Sequence, residues 1–499
     1  MNENRPLSNL RRRYPPLILA VVLALALTLL WVVAGYAGWR GGWMATEFQV
    51  QNVDSVTADF TAHFYSPHGI DVITPFTGSI PPGRSAYYRP EATHGLPPDF
   101  TGTLRLESEQ NIAGAIFHVA APAVGFNGNA VFEMVADDIT AQTYFAPLVE
   151  RDHDGVTSQI LVGNLGLTPA TVEIVFYDPN GTPVPIDPLP PIPKNGSALL
   201  NLEEVDDLDS PFIGSAEIVA DQPIWVDVVQ VSDDRWAIYP AAPAGSAELY
   251  APVTAQGVIP TISVQNVGDA ATTVEVRTAA EVVCDGPVVL PPGGSWQVVP
   301  SVDWEDAYVI ASTTGAPIAA VVSTRDTDGA SAYTALNKDQ ASYCYCAPML
   351  FADYDGWDTT LWMYNPNDSI ATVDVAFAGT PGTASWADTV QIGPHETRAS
   401  WRADVGTHYA ARVAADKPIF VLVEGTAPGK GDGRLVYRAT ASPCPPTPIP
   451  TLTEWGYIVL AAFMVLVAAW TLRHRLHTVP VTCTEASAEA SAEAPSRSE

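Results

Sequence analysis

One short pattern occurs four times along this 499-residue chain and limits its fold more than any other feature. Each time, an apolar and strand-like stretch ends on an asparagine, and successive asparagines lie roughly one hundred residues apart. A Thr/Val/Ala-rich run follows, and a Pro/Gly turn then leads to a serine or threonine. The asparagines are Asn52, Asn164, Asn266 and Asn365, and the hydroxyl residues after the turns are Ser85, Ser197, Ser295 and Thr397. The repetition predicts four copies of one folding unit.

The stretches within each copy have the periodicity of β-strands. Apolar and polar residues alternate, β-branched residues are enriched, and turn signals recur about every eight to twelve residues. About seven such strands in a hundred residues are typical of an immunoglobulin-like sandwich, in which two sheets bury their facing sides. We therefore predict a mainly β protein, with four tandem immunoglobulin-like β-sandwich repeats between an N-terminal and a C-terminal transmembrane helix. The predicted repeats are 43–143, 144–248, 249–342 and 343–440.

Two residue types have predicted structural roles within the copies. Each shared asparagine stands where a strand stops, and its short amide can bond nearby backbone groups or tolerate left-handed backbone geometry. Pro147, Pro252 and Pro348 each follow an alanine near the start of a copy. They fit an edge strand, because proline has no backbone N–H to donate to a neighbouring strand.

The N-terminal segment, residues 1–39, predicts export. Three arginines at positions 11–13 precede the uncharged stretch from Leu17 to Trp39. At ~1.5 Å per residue, this stretch is long enough for the ~30 Å hydrocarbon layer of a membrane. The positive charge is expected on the cytoplasmic side. A cleaved signal peptide and a retained signal anchor both place residues 41–448 outside the cytoplasm.

The C-terminal end has the three parts of a bacterial sorting signal. Its tag is followed by the uncharged run Tyr457 to Leu472 and then by a basic stop containing Arg473 and Arg475. The tag consists of Ile449, Pro450, Thr451, Leu452, Thr453, Glu454, Trp455 and Gly456. It resembles the IPTL-CTERM family, whose usual wording is Ile-Pro-Thr-Leu-Ser-Glu-Trp-Gly. The resemblance covers this end of the chain alone and implies a membrane-embedded sorting or processing enzyme as a partner.

Further segments complete the predicted layout of this end. A proline-rich stalk is predicted at 441–450, the tag, helix and basic stop occupy 449–477, and a disordered cytoplasmic tail is predicted at 478–499. The family normally stops soon after its basic cluster, whereas this chain continues to Glu499. A plain C-terminal membrane anchor is the alternative to a sorting signal.

The charge balance restricts the partners. The chain carries 55 Asp and Glu against 24 Lys and Arg, for a formal net charge of −31. A field of this sign repels nucleic acid, so none is predicted as a partner. A surface glycan or a surface protein is compatible with it.

The cysteines favour a disulfide over a metal site. Cys344 or Cys346 opens the last copy and Cys444 closes it, so a bridge is plausible outside the cytoplasm. Cys344 and Cys346 are separated by a single residue, which is not a usual zinc spacing. No metal site is therefore predicted from the cysteines.

Two acidic turns are weak calcium candidates. Asp152 and Asp154, and likewise Asp326 and Asp328, alternate with other residues before a glycine, as at the start of a calcium loop. Neither has the closing glutamate, and Asp-Gly is also a preferred hairpin tip. Calcium and a plain turn both remain open, and no other cofactor is predicted.

Tryptophans are concentrated in the fourth copy, where Trp357 is the candidate for an exposed sugar-stacking ring and Trp362 is expected in the core. The sequence contains no catalytic motif that we recognise, so no enzyme activity is predicted. The resulting expectation is a membrane-anchored surface protein whose tandem modules form a structural or adhesive rod. A carbohydrate-binding module is the alternative, and a surface hydrolase is a more distant one.

Overall fold

The computed structural model describes residues 44–442, apart from 98–99, 121–128, 135–140, 233–234, 255–257, 302–305, 380–384, 402–406 and 430–431. Antiparallel strands dominate these residues, which confirms the prediction of a mainly β protein. No helix in the described part of the chain is long and apolar enough to cross a membrane. Both predicted spans, 17–39 and 457–472, lie outside it.

The strands are described in chain order as modules 1 to 4. Module 1 contains β1 (Met44–Asn52), β2 (Ala58–Tyr65), β3 (Phe76–Ile80), β4 (Ser85–Tyr88), a short helix (Pro90–Thr93), β5 (Thr103–Ser108), β6 (Ile112–Ala120) and β7 (Asn129–Glu133). Module 2 contains β8 (Thr143–Arg151), β9 (Thr157–Asn164), β10 (Val172–Tyr177), β11 (Pro183–Pro185), β12 (Ser197–Asn201), a 3-10 turn (Leu202–Glu204), β13 (Phe212–Ala220), β14 (Ile224–Val231) and β15 (Trp236–Pro240).

Modules 3 and 4 repeat this order. Module 3 contains β16 (Glu248–Pro252), β17 (Thr261–Asn266), β18 (Thr272–Thr278), β19 (Val283–Leu290), β20 (Ser295–Val298), β21 (Ala307–Ser312), β22 (Ile318–Arg325), β23 (Ala330–Thr334) and a 3-10 turn (Lys338–Gln340). Module 4 contains β24 (Ser342–Ala352), β25 (Asp358–Tyr364), β26 (Ala371–Gly379), β27 (Ser385–Ile392), β28 (Thr397–Trp401), β29 (Thr407–Thr426), β30 (Arg434–Arg438) and β31 (Thr440–Ala441).

Each module has an inner and an outer sheet. The inner sheets contain the strand that carries the shared asparagine, in the orders β4-β1-β6-β7, β12-β9-β14-β15 and β20-β17-β22-β23. The outer sheets are β3-β2-β5, β11-β10-β13-β8 and β19-β18-β21-β16. In module 4 the 20-residue strand β29 runs through both sheets, so β28-β25-β29-β30 and β27-β26-β29-β24-β31 are continuous.

The shared asparagines fasten the two sheets of each module together. Asn164 donates through Nδ2 to the carbonyls of Thr168 (2.8 Å) and Ile192 (2.9 Å), and its Oδ1 accepts from Gly166 N (2.7 Å). The equivalent three bonds are made by Asn52, Asn266 and Asn365. The predicted structural role is confirmed. The four asparagines act through the hydrogen bonds of their amides and not through left-handed backbone geometry, since none of them has a positive φ.

Pro147 and Pro252 lie in the edge strands β8 and β16, as predicted, whereas Pro348 lies in β24, which has β29 on one side and β31 on the other. Pro147 falls within the edge strand β8, where the pairing with β13 shifts between Gly214 and Ala216. Pro348 falls at a similar shift in the pairing of β24 with β29. A residue in a bulge is not paired in the regular ladder, so a proline there does not remove a ladder hydrogen bond.

The four modules close into a ring. The last strand of each inner sheet contacts two others, so that β7, β15, β23 and β30 surround a common centre. Gln265 of module 3 donates to the carbonyl of Ala216 in module 2 (3.4 Å), and Gln51 of module 1 donates to Ala411 in module 4 (3.2 Å). Both glutamines immediately precede a shared asparagine. Module 4 therefore meets module 1 as module 2 meets module 3.

The apolar cores cross three of the four seams between modules. The module 2 core includes Val321 and Ala332 of module 3. The module 3 core includes Tyr364 and Phe420 of module 4, and the module 4 core includes Ala115 and Phe117 of module 1. The expectation of a rod was wrong, because the first and last modules of a rod would not touch. Burial of the outward face of each inner sheet is the physical reason for closure.

The asparagine corners predict a large loss of stability on truncation. In Asn266→Ala, three hydrogen bonds are lost, and the carbonyl of Ala270 and the buried carbonyl of Leu290 lose their donor. We expect the free energy of unfolding to fall by about 2 to 4 kcal/mol, measured by chemical denaturation. Asn180→Ala, in an exposed turn, is the matched control and should change little. Equal effects of the two variants would contradict the role given to the corner.

Ring closure predicts energetic coupling between modules 1 and 4. The Phe117 ring lies 5.6 Å from that of Trp357, edge to face. A double-mutant cycle of Phe117→Ala and Trp357→Ala should therefore give a coupling energy of about 0.5 to 1.5 kcal/mol. The same cycle between Phe117 and Phe212, which packs on Phe176 in module 2, should be additive. Additivity in both cycles would contradict closure.

Candidate functional site

The first pair of calcium candidates forms a hairpin tip between β8 and β9. Asp152, Asp154 and Gly155 all have positive φ (48°, 49° and 76°), and His153 and Val156 exchange backbone hydrogen bonds of 3.1 and 2.9 Å. The Asp152 carboxylate accepts from Ser210 Oγ (2.8 Å). The plain-turn interpretation accounts for this geometry. The sequence analysis overlooked an equivalent tip in module 4, at residues 353–356.

The second pair takes part in an ion pair at the ring centre. Asp326 accepts from the backbone N–H groups of Asp328 (2.8 Å) and Gly329 (3.2 Å) and from Arg434 Nη2 (2.8 Å). Across the described ranges, no three His, Cys, Asp or Glu side chains are grouped to hold a metal ion. The geometry therefore adds no support to the calcium prediction.

Arg434 links two carboxylates across the seam between modules 3 and 4. Its Nη1 lies 2.7 Å from Glu424 Oε1, and Glu424 also accepts from Trp362 Nε1 (2.9 Å). Burial raises the pKa of Glu424 to about 7, although Arg434 acts against this shift. Trp362 is buried, as predicted. The bonds of Arg434 to two carboxylates and of Glu424 to Trp362 offset the cost of burying this ion pair.

Asp432 joins three modules at the ring centre. Its carboxylate is fully buried and accepts from the backbone N–H of Trp236 in module 2 (2.7 Å) and of Ala330 in module 3 (3.0 Å). Asp432 itself precedes β30 of module 4. No sequence motif marks this aspartate, because its partners are backbone groups from distant repeats.

A second charged cluster lies in the seam between modules 4 and 1. Glu47 lies 2.7 Å from Arg89 Nε, and Arg89 donates to Tyr354 Oη (3.3 Å). His408 packs against Tyr354, with ring centroids 5.1 Å apart. Burial raises the pKa of Glu47 to about 6 and, together with Arg89, lowers the pKa of His408. These groups hold the seam in register.

The tryptophan prediction was wrong for Trp357. This side chain is 3 % exposed and packs between modules 4 and 1, because closure of the ring covers the hairpin tip that carries it. Trp401, at the end of β28, is 64 % exposed instead. The side chain of Trp386 lies outside the described residues.

A groove of about 690 Å³ runs along the outer sheet of module 1. Hydroxyl and carboxylate side chains from β2, β3 and the end of β5 line it. They are Thr61, Thr77, Ser79, Asp59, Glu107 and Glu109. This combination of donors and acceptors is suited to polar ligands. The groove could not be predicted from the sequence, because its residues come from three separate strands.

The cysteines of module 4 differ in state. Cys344 is disulfide-bonded, whereas Cys346 is a buried free thiol. Cys444 lies outside the described residues, but Ser442, two residues before it, donates its backbone N–H to the carbonyl of Cys344 (3.1 Å). Cys284 in module 3 is also a buried free thiol. The tag Ile449–Gly456 and the basic residues Arg473 and Arg475 lie outside the described residues as well.

The buried Glu424 predicts a specific dependence of stability on pH. Its folded pKa of about 7 is above the ordinary 4.5, so the folded chain binds the proton more tightly. This contribution is complete below pH 4.5 and is lost as the pH rises through about 7. Relative to Glu424→Gln, the native chain should lose about 2 to 4 kcal/mol over that interval. Denaturation at several pH values measures the difference.

The matched control for this measurement is Glu173→Gln, since Glu173 is an exposed glutamate on β10. Its difference from the native chain should stay constant across the same pH interval. A constant difference for Glu424→Gln as well would contradict the buried-carboxylate interpretation.

Comparisons with solved structures give low scores. The crystal structure of Thermotoga maritima 1070 is 12% identical, with 21% of this chain and 97% of that chain covered, and its TM-score is 0.19. A tetra-tandem repeat in the extending region of a large adhesion protein is 10% identical, covers 81% and 96%, and scores 0.11. The BSP domain of a biofilm-associated protein is 8% identical, covers 81% and 92%, and scores 0.13. None of these scores carries an argument about the fold.

The other comparisons concern the sequence. No curated protein matches this chain. A family model does match its C-terminal end, over the residues predicted to carry the tag, the apolar helix and the start of the basic stop. Residues 447–474 are an IPTL-CTERM motif, a C-terminal sorting signal.

Proposed function

We propose that this chain is an exported, membrane-anchored bacterial surface protein whose four modules form a compact adhesive head. Two observations support the proposal. The sorting signal at 447–474 directs a chain to the cell surface, and the described residues before it form a continuous ring of β-sandwiches. The membrane and a sorting enzyme are the proposed partners of the C-terminal segment, and catalysis has no part in the proposal.

The modules are proposed to be immunoglobulin-like. In module 2, β8, β13 and β10 are neighbours in the order of the immunoglobulin strands B, E and D. The strands β9, β14 and β15 are neighbours in the order C, F and G. Two additional strands, β11 and β12, lie between D and E in the sequence. Folds of this class occur in many surface proteins, which makes the assignment compatible with adhesion but not sufficient for it.

Ring closure is the single observation that favours a head over a spacer. A spacer gains reach when its modules are joined end to end, whereas the bonds of Gln49 and Gln51 to the carbonyls of Tyr409 and Ala411 bring module 1 back onto module 4. Closure thus gives up length and produces a broad outer surface. Such a surface is useful for contact with a ligand.

The outer surface offers two features that suit a glycan. The groove of module 1 presents hydroxyl and carboxylate groups, which bind sugar hydroxyls through hydrogen bonds. Trp401 presents an exposed indole, which can stack on a sugar ring. A surface glycan is therefore the first ligand class to test, and a surface protein is the second.

The test uses the full-length chain on the bacterial surface. We expect these cells to bind a subset of a glycan array or an extracted surface polymer. Trp401→Ala should weaken this binding roughly three- to tenfold, whereas Val289→Ala, at another exposed apolar side chain (66 %), should leave it unchanged. Absence of binding to glycans and to surface extracts would overturn the adhesive proposal and leave a structural scaffold.

A further inference from the structure

Module 1 differs from the other three in its outer sheet. In modules 2 to 4 a first strand, β8, β16 or β24, pairs with β13, β21 or β29 respectively. Among the described strands, the outer sheet of module 1 consists of β3, β2 and β5, and β5 is at its edge. The position that a first strand occupies elsewhere is beside β5.

The core of module 1 is less well covered on this side. Leu104 and Leu106 of β5 point inward but are half-buried. At the equivalent positions, Ala216 and Ile218 of module 2 are 0 % exposed, and Ala411 and Val413 of module 4 are 0 % and 1 % exposed. One further strand would cover both leucines as β8 and β24 cover their counterparts.

The first strands also build the seams of the ring. The strand β8 contacts β17 and β22 of module 3, and β24 contacts β1 and β6 of module 1. Side chains on the outward faces of those inner sheets are buried there, as Gln265 (1 %) and Val321 (0 %) show.

The seam between modules 1 and 2 differs in this respect. On the outward face of module 2, Leu161 and Trp225 are half-buried and Leu199 is 39 % exposed. No apolar cluster formed by the described residues spans this seam. Both sides of the seam therefore present apolar surface to the same gap beside β5.

The spacing of the shared asparagines points to a segment that fits this gap. Strand β8 occupies residues 143–151, which precede Asn164. Residues 31–39 lie at the same distances before Asn52. The end of β24 lies at the same distances before Asn365, so it also corresponds to residues 31–39. In this alignment Ala34 corresponds to Ala146 and to Ala347, which are both fully buried. Residues 31–39 read Trp-Val-Val-Ala-Gly-Tyr-Ala-Gly-Trp and are uncharged.

We propose that residues 31–39 are the first strand of module 1, paired antiparallel with β5 and packed into the seam with module 2. The register follows from modules 2 and 4, whose first strands lie at the same distance before the shared asparagine; in module 3 the residue at this pairing position, Ala251 opposite Tyr308, is closer to Asn266. Ala146 pairs with Ala216 and Ala347 with Ala411, so Ala34 pairs with Leu104. Tyr144 pairs with Ile218, and Tyr345 with Val413, so Val32 pairs with Leu106. The two modules give the same register independently.

This assignment divides the N-terminal apolar stretch. Residues 17–30 remain for export, and at ~1.5 Å per residue they span ~21 Å, less than the ~30 Å hydrocarbon layer. Ala24-Leu25-Ala26 provides the small residues that signal peptidase prefers, and cleavage there leaves Leu17 to Leu23 as the apolar core of a signal peptide. Processing would then leave residues 31–39 on the mature chain. The proposal does not depend on adhesion.

Cysteine cross-linking in the full-length chain, expressed and exported by bacteria, tests the register. The pair Leu104→Cys with Ala34→Cys should link within one chain under mild oxidation or with a short bifunctional thiol reagent. The control pair, Leu104→Cys with Val33→Cys, places the second thiol on the opposite face of the strand. We expect at least about tenfold more linkage in the first pair. Leu106→Cys with Val32→Cys is a second in-register pair, in case the first variant does not fold.

Mass spectrometry of the linked peptides and of the mature N-terminus completes the test. An intramolecular link at Leu104 or Leu106, on a chain that begins before Trp31, supports the proposal. Equal linkage in the control, or no linkage in folded protein, overturns it. A link between two chains would assign the gap to a strand of a second copy, and a mature N-terminus after Trp39 would remove the proposed strand. Either result also overturns the proposal, while neither bears on surface adhesion.

Discussion

The need to bury both faces of each inner sheet governs this structure. One face packs on the outer sheet of the same module, and the other must be covered by a neighbouring module. A linear array would leave one outward face uncovered at its end, whereas the ring covers those of modules 1, 3 and 4 and part of that of module 2. The bond from Gln51 to Ala411 repeats the bond from Gln265 to Ala216, so the closing seam has the same chemistry as an internal one. Opening the ring would expose the apolar side chains that cross the seams, which makes open arrangements unfavourable.

The sequence predicted what depends on neighbours within one copy. The asparagine corner was predictable because its partners lie four residues ahead and within the turn of the same module, as for Asn164 with Thr168. The edge positions of Pro147 and Pro252 were predictable because proline lacks a backbone N–H. Closure was not, because alignment of the repeats shows what each copy contains and gives no information on which copies touch. The exposure of Trp357 was predicted wrongly because the residue lies beside an Asp-Gly turn. Such a residue is exposed in an isolated module, but here a second module covers it.

The charged groups follow the same division. The excess of acidic residues is evident from the composition, but the few buried charges could not be found that way. Arg434 binds Glu424 of its own module and Asp326 of module 3, and Asp432 accepts from backbone groups of modules 2 and 3. Glu424 is ten residues from Arg434, but Asp326 is 108 residues away and the partners of Asp432 belong to the backbone, so no local motif records the links between modules. Buried pairs of this kind fix the relative position of modules more than they add stability.

The seam between modules 1 and 2 and the seam between modules 4 and 1 differ in their contacts, and the order of the modules along the chain accounts for the difference. Modules 1 and 2 are consecutive in the chain, so their seam forms under a high effective concentration and can be weakly packed. Modules 4 and 1 are separated by two whole modules, and closing so long a loop has a larger entropic cost. That seam holds the pair Phe117 and Trp357, two donating glutamines and the Glu47–Arg89 ion pair. These contacts offset the entropic cost of bringing modules 4 and 1 together.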